Sequence, residues 1–439
     1  MTFNCSLSKV RSAGSFDKTR SFLIRLFIAI MGMGLFGLSI VYDAQSTEQT
    51  ISSTQLPEHA NLQENIMLVN KKVHHIDLFT TFHGEQIKDV KIGWESYGHL
   101  NADKSNAILI THYFTGSSHA AGKYSINDEE AGYWDAIIGP GKAIDTERFF
   151  VISVDSLVNI NAFDDTVITT GPASINPDTN KPYGLSFPVV TMRDFVNVQK
   201  SVLESLGIHT LYAVAGPSMG SMQAIEWASA YPDKVARLIS VIGAAQADGW
   251  TTALLEQWAT PIKLDPNWRD GNYYDQTKEN QPHRGLIAAL ALITQSALAP
   301  EFFNSLNSQL LANADPHANL YDITQSPPII NWLMQRAGER SVKMDANHLL
   351  YLVRANQLFI TGMKGNLEQG LAQIQAKTLF IPATHDQLLM PYHVEQAAAI
   401  LSKQNKEVDL HYLDGSLGHL EGLSGIAQYS DTIRTFLAE

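Results

Sequence analysis

The amino-acid sequence predicts an α/β protein with a mostly parallel central sheet and a helical lid inserted before one of its last strands. Three observations lead to this prediction. Short apolar runs recur along the chain, segments with apolar residues at helical spacing lie between them, and about 130 residues between Gly243 and Thr378 show no convincing strand. Apolar runs without alternation suit central strands covered on both faces, and their alternation with helices is typical of parallel sheets.

Eight segments are predicted as strands. The first two flank His83, Gly84 and Glu85, a spacing that predicts a hairpin. The later ones are short apolar runs, several of which end at polar or glycine-rich residues. The predicted strands are residues 73–78, 90–97, 107–112, 149–154, 210–216, 238–243, 378–382 and 408–413.

Helices are predicted between the strands at 192–206, 222–230, 394–401 and 426–437, and within the strand-free interval at 285–298, 301–311 and 347–363. In the first of these, apolar residues recur at a spacing near 3.6, as on one face of a helix. The sequence therefore predicts five parts: a leader at 1–46, a linker at 47–66, a first core part at 67–246, a lid at 247–370 and a second core part at 371–439.

Composition narrows the class of protein. The chain has 439 residues, a formal net charge of −13 and one cysteine, Cys5. With 45% hydrophobic and 17% charged residues, a wholly disordered chain is excluded. The acidic balance argues against a nucleic-acid partner. A single cysteine allows no internal disulfide and no clustered-thiolate metal site, and no H-E-x-x-H motif or calcium loop occurs, so neither a metal nor a cofactor is expected.

The first 46 residues resemble an export signal. Five basic and two acidic residues give them a local charge of +3, which leaves −16 on the remainder. The uncharged apolar run 26–41 follows Arg25 directly, and a basic head before such a run is the layout of a secretory signal. Ala44 and Ser46 are small residues at the two positions that a signal peptidase recognises. We expect a periplasmic or secreted protein; the alternative is membrane anchoring by residues 26–41, a run at or just below spanning length.

The strongest chemical motif is Gly216-Pro217-Ser218-Met219-Gly220. It follows an apolar strand and opens a helical segment, which is the setting of the G-x-S-x-G nucleophile elbow. A strained backbone at the serine exposes its hydroxyl, and glycines beside it let neighbouring chains approach. We therefore predict Ser218 as a nucleophile; the alternative is a glycine-rich turn with an inert serine.

A serine nucleophile needs a base, and the base needs an orienting acid. With this elbow, the order along the chain is serine, acid, histidine. Asp386 follows a late strand and is the predicted acid, and His419 follows the next strand and is the predicted base. Asp414 is a rival acid that lies close to the histidine in sequence. His411 is expected in a strand and His385 beside the acid.

An acyl-serine mechanism also needs backbone N–H groups that stabilise the oxyanion. One should belong to Met219, which follows the nucleophile. The other should come from the loop after the third strand, residues 112–116, where we favour the N–H of Phe114.

Several segments together resemble the homoserine O-acetyltransferases, a branch of the α/β-hydrolase fold. The resemblance covers about residues 70–436, and it rests on 114–122, 132–135, 138–142, 170–177, 181–184, 187–188, 216–227, 265–268, 386–388 and 418–419. It implies that Ser218, Asp386 and His419 form a catalytic triad under a helical lid. It also implies a homodimer.

Two positions depart from that family. Members that use homoserine carry an arginine in the lid, after a Gly-Leu pair, and an aspartate directly after the catalytic histidine. Here Leu290 and Leu420 occupy these positions, and no arginine occurs from 285 to 335. Two leucines would leave a zwitterionic amino acid without partners, at a cost of several kcal/mol. We therefore expect Leu290 and Leu420 to line a site for an uncharged acyl substrate.

These observations predict a serine-dependent enzyme that takes the acyl group of a small-molecule ester. An exported ester hydrolase is the main expectation. Acetyl-CoA, which would supply the acyl group to a transferase, is a cytoplasmic donor and should be scarce where an exported enzyme works. The alternative is an O-acyltransferase that passes the acyl group to an alcohol, as the resemblance implies. A second alternative is a non-catalytic binding protein that keeps the α/β-hydrolase fold.

Overall fold

The computed structural model describes residues 66–315, 319–363 and 365–439. The predicted leader at 1–46 lies outside these residues, as does the predicted linker up to residue 65. Within the described residues no single helix is both long and apolar enough to cross a membrane. One pair of helices, His283–Ala297 and Pro300–Ala312, meets that criterion jointly, and the two are bent by 112°.

The core of the molecule is an eight-stranded sheet. Its spatial order is β1-β2-β4-β3-β5-β6-β7-β8. The pairs β1–β2 and β2–β4 are antiparallel and all other neighbours are parallel, which confirms the predicted mostly parallel sheet. The strands are β1 Lys72–Thr80, β2 Gln86–Tyr97, β3 Ala107–Thr111, β4 Phe150–Val154, β5 Ala213–Pro217, β6 Arg237–Val241, β7 Lys377–Ile381 and β8 Val408–Leu410.

The central strands are buried on both faces. Every residue of β3 and of β5 is buried. Since successive side chains of a strand point to opposite faces, Leu109 and Val214 pack into one hydrophobic cluster and Ile108 and Ala215 into the other. Burial on both faces explains why these strands appear in the sequence as continuous apolar runs.

In the described part of the chain, ten helices surround the sheet or cover its edge. Helix α2 is buried along nearly its whole length, so its sequence lacks a polar face, and it begins three residues before the predicted start at 222. The helices are α1 Met192–Ser205, α2 Met219–Ala230, α3 Gly249–Leu264, α4 His283–Ala297, α5 Pro300–Ala312, α6 Pro328–Ser341, α7 Ala346–Gln357, α8 Leu367–Ala372, α9 Tyr392–Lys403 and α10 Ser430–Ala438.

Between β6 and β7 the described chain forms helices α3–α8 with short 3-10 turns, and no strand. Asp345, at the start of α7, ties this helical part to the core. Its carboxylate accepts hydrogen bonds from the hydroxyls of Tyr273 (2.8 Å) and Tyr274 (3.0 Å). Its own N–H donates to the carbonyl oxygen of Ile160, in the loop after β4, at 2.9 Å.

Candidate active site

Ser218 stands between β5, which ends at Pro217, and α2, which begins at Met219. Its backbone has φ 58° and ψ −123°, a strained combination for a residue with a side chain. The Ser218 N–H donates to the carbonyl oxygen of Val241 at 2.9 Å, which holds the turn against the end of β6. The turn thus has the strand–turn–helix setting that a nucleophile elbow requires.

The glycines of the motif permit a close approach of β3. A Cβ on Gly220 would lie 2.0 Å from the carbonyl oxygen of Thr111, and one on Gly216 would lie 2.2 Å from Thr111 Oγ1. Thr111 Oγ1 also donates a hydrogen bond to the Gly220 carbonyl oxygen at 2.7 Å. The end of β3 therefore fits against the elbow only because these two positions lack side chains.

His419 joins the serine to a carboxylate. Its Nε2 lies 2.7 Å from Ser218 Oγ, and its Nδ1 lies 2.6 Å from Asp386 Oδ2. The other oxygen of Asp386 accepts hydrogen bonds from the N–H groups of Leu388 (2.8 Å) and Leu389 (3.0 Å). These contacts fix the carboxylate, so that it can hold the imidazole with Nε2 facing the serine hydroxyl.

The structure distinguishes Asp386 from the other candidate acid, Asp414. Asp414 is exposed and lies 3.7 Å from Nε2 of His385, in a surface pair. His411 is exposed, and its N–H continues the β8 ladder by donating to Phe380 at 3.0 Å. Of the candidate acids, the structure therefore places Asp386 on the imidazole.

The three side chains are almost sealed from solvent. Ser218 is 7% exposed, His419 5% and Asp386 4%. The turn that carries His419 lies directly against Ala299, at the junction of α4 and α5. Hydrogen bonds and dipoles in such a water-poor site act more strongly than they would in water.

Met219 directly follows Ser218, and Phe114 comes three residues after Thr111, which contacts the elbow. Met219 is the first residue of α2, where a backbone N–H has no partner within the helix. Phe114 lies in the loop after β3, and its N–H donates to no acceptor in the described part of the chain. The Phe114 ring is buried and packs edge-on against Trp258 of α3, with ring centroids 5.5 Å apart. That packing holds the loop in place.

Two residues that the sequence analysis missed hold the histidine loop. Glu421 accepts a hydrogen bond from the Leu417 N–H at 2.9 Å, and Trp134 Nε1 donates to the Gly422 carbonyl oxygen at 2.9 Å. Burial raises the pKa of Glu421. Trp134 lies in one of the segments that carry the family resemblance, and the resemblance could therefore have pointed to it. No pattern in the sequence around residue 421 pointed to Glu421.

The two leucines predicted to line the substrate site are buried to different extents. Leu290 is fully buried on α4, and Leu420 is half-buried and packs against the same hydrophobic cluster, which also contains Phe114. Their contact with substrate stays a prediction. No group of three or more His, Cys, Asp or Glu side chains that could hold a metal ion occurs among the described residues.

Comparison with known proteins defines the class. Residues 169–416 match the family described as alpha/beta hydrolase fold. The structure is similar to the crystal structure of esterase E22, with a TM-score of 0.82 and 64% identity, over 84% of this chain and 100% of that one. The protein is therefore an enzyme of the α/β-hydrolase fold, of the acyltransferase or esterase type.

Curated relatives and a second structure define the family. The homoserine O-acetyltransferase of Methanococcoides burtonii is 36% identical over 81% of this chain and 70% of its own length. That of Deferribacter desulfuricans is 34% identical over 85% of this chain and 96% of its own length. The homoserine O-acetyltransferase of Bacillus anthracis has a TM-score of 0.79 and 34% identity, over 85% of this chain and 99% of that one. The chain belongs to the homoserine O-acetyltransferase family.

Proposed function

We propose that the protein is a serine-dependent acyl-transfer enzyme that works through an acyl-serine intermediate. The hydrogen-bonded chain from Ser218 through His419 to Asp386 carries this proposal. His419 Nε2 takes the proton of the serine hydroxyl as Oγ attacks the ester carbonyl carbon. The negative charge on the carbonyl oxygen is stabilised by the N–H groups of Met219 and Phe114.

The first half of the reaction ends with the acyl-serine, and the second half restores the free serine. His419 gives its proton to the departing alcohol as the ester bond breaks, which leaves the acyl group on Ser218. It then takes a proton from the acceptor, whose oxygen attacks the acyl carbon. The Ser218 Oγ leaves and recovers a proton from His419, and Asp386 stabilises the imidazolium in both halves.

The relatives favour an alcohol as the acceptor. The curated relatives that match over most of this chain are named homoserine O-acetyltransferases, which supports the acyltransferase alternative better than the hydrolase that was the main expectation. Homoserine itself is not the acceptor we propose, because Leu290 and Leu420 offer no partner for its charges. We propose an alcohol without an ammonium group.

Ester hydrolysis is the second candidate function. The 64% identical neighbour is named an esterase, and the two leucines remove charged groups at positions where family members that use homoserine carry them. In this case water replaces the alcohol in the second half, and the chemistry at Ser218 is unchanged.

A fluorophosphonate probe tests the shared proposal, and product analysis decides the acceptor. We expect labelling of Ser218 in the wild-type protein and none in Ser218→Ala. With 4-nitrophenyl acetate and a series of primary alcohols, an acyltransferase gives mainly the new ester, and a hydrolase gives mainly acetate. Folded wild-type protein without labelling would contradict both enzyme functions and support a binding protein. Efficient formation of O-acetylhomoserine would contradict the argument from Leu290 and Leu420.

We also propose that the protein is exported. The basic head and the apolar run 26–41 support this proposal. Expression of the full chain in a bacterial host, followed by fractionation and N-terminal sequencing, tests it. A periplasmic product that starts near Ser46 is expected. Full-length protein in the membrane fraction would support the anchored alternative, and full-length protein in the cytoplasm would contradict export.

A further inference from the structure

Arg340, near the end of α6, links the lid to the loop that carries the oxyanion donor. Its Nη2 donates to Thr115 Oγ1 at 3.1 Å, and its Nη1 donates to Thr294 Oγ1 on α4, also at 3.1 Å. Thr115 directly follows Phe114. The guanidinium is therefore bonded to the side chain of the residue that follows the proposed oxyanion donor.

Among the described residues the guanidinium has no anionic partner. No carboxylate lies within 4.0 Å of it in the described part of the chain, and its two hydrogen-bond acceptors there are neutral hydroxyls. Two other arginines with little exposure pair with carboxylates: Arg336, one turn earlier on α6, lies 3.1 Å from Glu339, and Arg193 pairs with Glu226. An arginine stays charged at neutral pH, and burying a charge without a counter-charge is costly.

Geometry explains how this charge could be used. A guanidinium carries five N–H donors in a rigid fork that matches a carboxylate, and only two acceptors are supplied here by the described chain. Thr294 Oγ1 in turn donates to the Leu290 carbonyl oxygen at 2.8 Å. Two threonines on separate elements thus position the fork, and further N–H donors remain next to the loop that carries the proposed oxyanion donor.

We propose that Arg340 is a specificity-determining residue that binds a carboxylate carried by the ester substrate. The proposal rests on the acyl-serine function proposed above and adds the substrate class. It differs from the uncharged substrate expected from the sequence, which has no arginine from 285 to 335. In this protein the cation is supplied by Arg340 on α6 instead of by position 290 on α4.

Two matched pairs of esters test the proposal and locate the carboxylate. In the acyl half, 4-nitrophenyl hemisuccinate is compared with 4-nitrophenyl butyrate. In the alcohol half, 4-acetoxybutanoate is compared with its neutral isostere 4-acetoxybutanamide, and both give the same acetyl-serine. For at least one pair, Arg340→Met should lower kcat/KM on the carboxylate member at least about tenfold, and by less than about threefold on the neutral member.

Two further variants complete the comparison. Arg340→Lys keeps the charge without the fork, so an intermediate loss on the carboxylate member is expected. Arg354→Met removes an exposed arginine of α7 whose Nε donates to Gln357 at 3.1 Å. This variant should leave kcat/KM on both pairs of esters unchanged. If Arg340→Met does not fold, inhibition of the wild-type protein by succinate and by succinamide replaces it. Succinate should then bind at least about tenfold more tightly.

Other outcomes separate the possibilities. Equal losses on all four esters would overturn the proposal and leave Arg340 as a positioning residue for the Thr115 loop. Unchanged kcat/KM, or equal inhibition by succinate and succinamide, would also overturn it. In both cases the wild-type protein remains an active esterase or acyltransferase. A wild-type protein that cleaves none of the esters and is not labelled at Ser218 would instead overturn the proposed function itself.

Discussion

The Nδ1 atom of His419 lies 2.6 Å from Oδ2 of Asp386, while Oδ1 of the same carboxylate accepts two backbone hydrogen bonds. An asparagine at this position would present an amide N–H or a neutral oxygen to the ring and would favour the wrong tautomer. We therefore predict that Asp386→Asn lowers kcat by about 10⁴ and leaves the fold intact. Steady-state hydrolysis of 4-nitrophenyl acetate and circular dichroism measure the two effects.

Asp414 provides the control for this prediction. It is exposed and pairs only loosely with His385, at 3.7 Å. Asp414→Asn should keep kcat within about twofold, because a substitution at such a surface site has a small effect. A loss of activity in Asp414→Asn equal to that in Asp386→Asn would contradict the assignment of the acid.

The elbow glycines give a second prediction. A methyl group on Gly220 would lie 2.0 Å from the Thr111 carbonyl oxygen, which is backbone and cannot yield without moving β3. We predict that Gly220→Ala lowers the free energy of unfolding by about 3 kcal/mol or prevents folding, as overpacking of a core does. Urea unfolding followed by tryptophan fluorescence measures the change.

Gly249 is the matched control. It lies at the start of α3, where a Cβ would meet no atom within 4 Å. Gly249→Ala should leave the stability unchanged or raise it by up to about 1 kcal/mol, since alanine favours the helix. If Gly220→Ala were as stable as Gly249→Ala, the close contact between β3 and the elbow would be refuted.

Local sequence patterns were enough to predict the strands of the sheet and the helices beside it. The strands β3 and β5 are apolar because both of their faces are covered, and that property is visible in any short window. Ser218, Asp386 and His419 could be proposed because the motif and the chain order of this fold point to them. Two-residue strands such as Ile138–Gly139 were missed, since two residues carry no period.

Arg340 shows what sequence patterns leave out. It meets Thr115 across 225 residues of chain, and the contact depends on how α6 packs against α4 and the loop after β3. No spacing or motif near residue 340 encodes that docking. The start of α2 was likewise predicted three residues late, because a helix buried along nearly its whole length has no polar face to reveal its period.

One of the two tyrosines bound to Asp345 gives a third prediction. Tyr273 is buried; its hydroxyl donates to Asp345 Oδ2 at 2.8 Å and accepts from the Asn347 N–H at 3.0 Å. Tyr273→Phe leaves that oxygen and that N–H short of a partner inside the protein. We expect the free energy of unfolding to fall by about 1–3 kcal/mol.

Tyr412→Phe is the corresponding control. Its hydroxyl donates to Glu395 at 2.7 Å on the surface, where water can replace the contact. The expected loss is within about 0.5 kcal/mol in the same urea experiment. Equal losses in the two variants would show that the network around Asp345 contributes no more than a surface hydrogen bond.

The last prediction concerns acid stability and Glu95, whose side chain is fully buried beneath the loop 118–124. Its carboxylate pairs with Lys71 at 2.8 Å and accepts hydrogen bonds from Tyr97 at 2.9 Å and Tyr124. Burial alone would raise the pKa of Glu95. The hydrogen bond from His119 and the charge of Lys71 outweigh this effect and lower the pKa to about 2, from an ordinary value of 4.5.

Because the pKa is lower in the folded protein, the unfolded chain binds the proton more tightly. The stability that Glu95 contributes is therefore complete above pH 4.5 and is lost as the pH falls towards 2. A difference of this size corresponds to about 3 kcal/mol. In Glu95→Gln the free energy of unfolding should be lower at pH 7 and should change less between pH 5 and pH 2.5 than in the wild-type protein. Urea unfolding across this range measures both effects, and the exposed Glu147→Gln should follow the wild-type curve. A Glu95→Gln curve parallel to that of the wild-type protein would refute the assigned pKa shift.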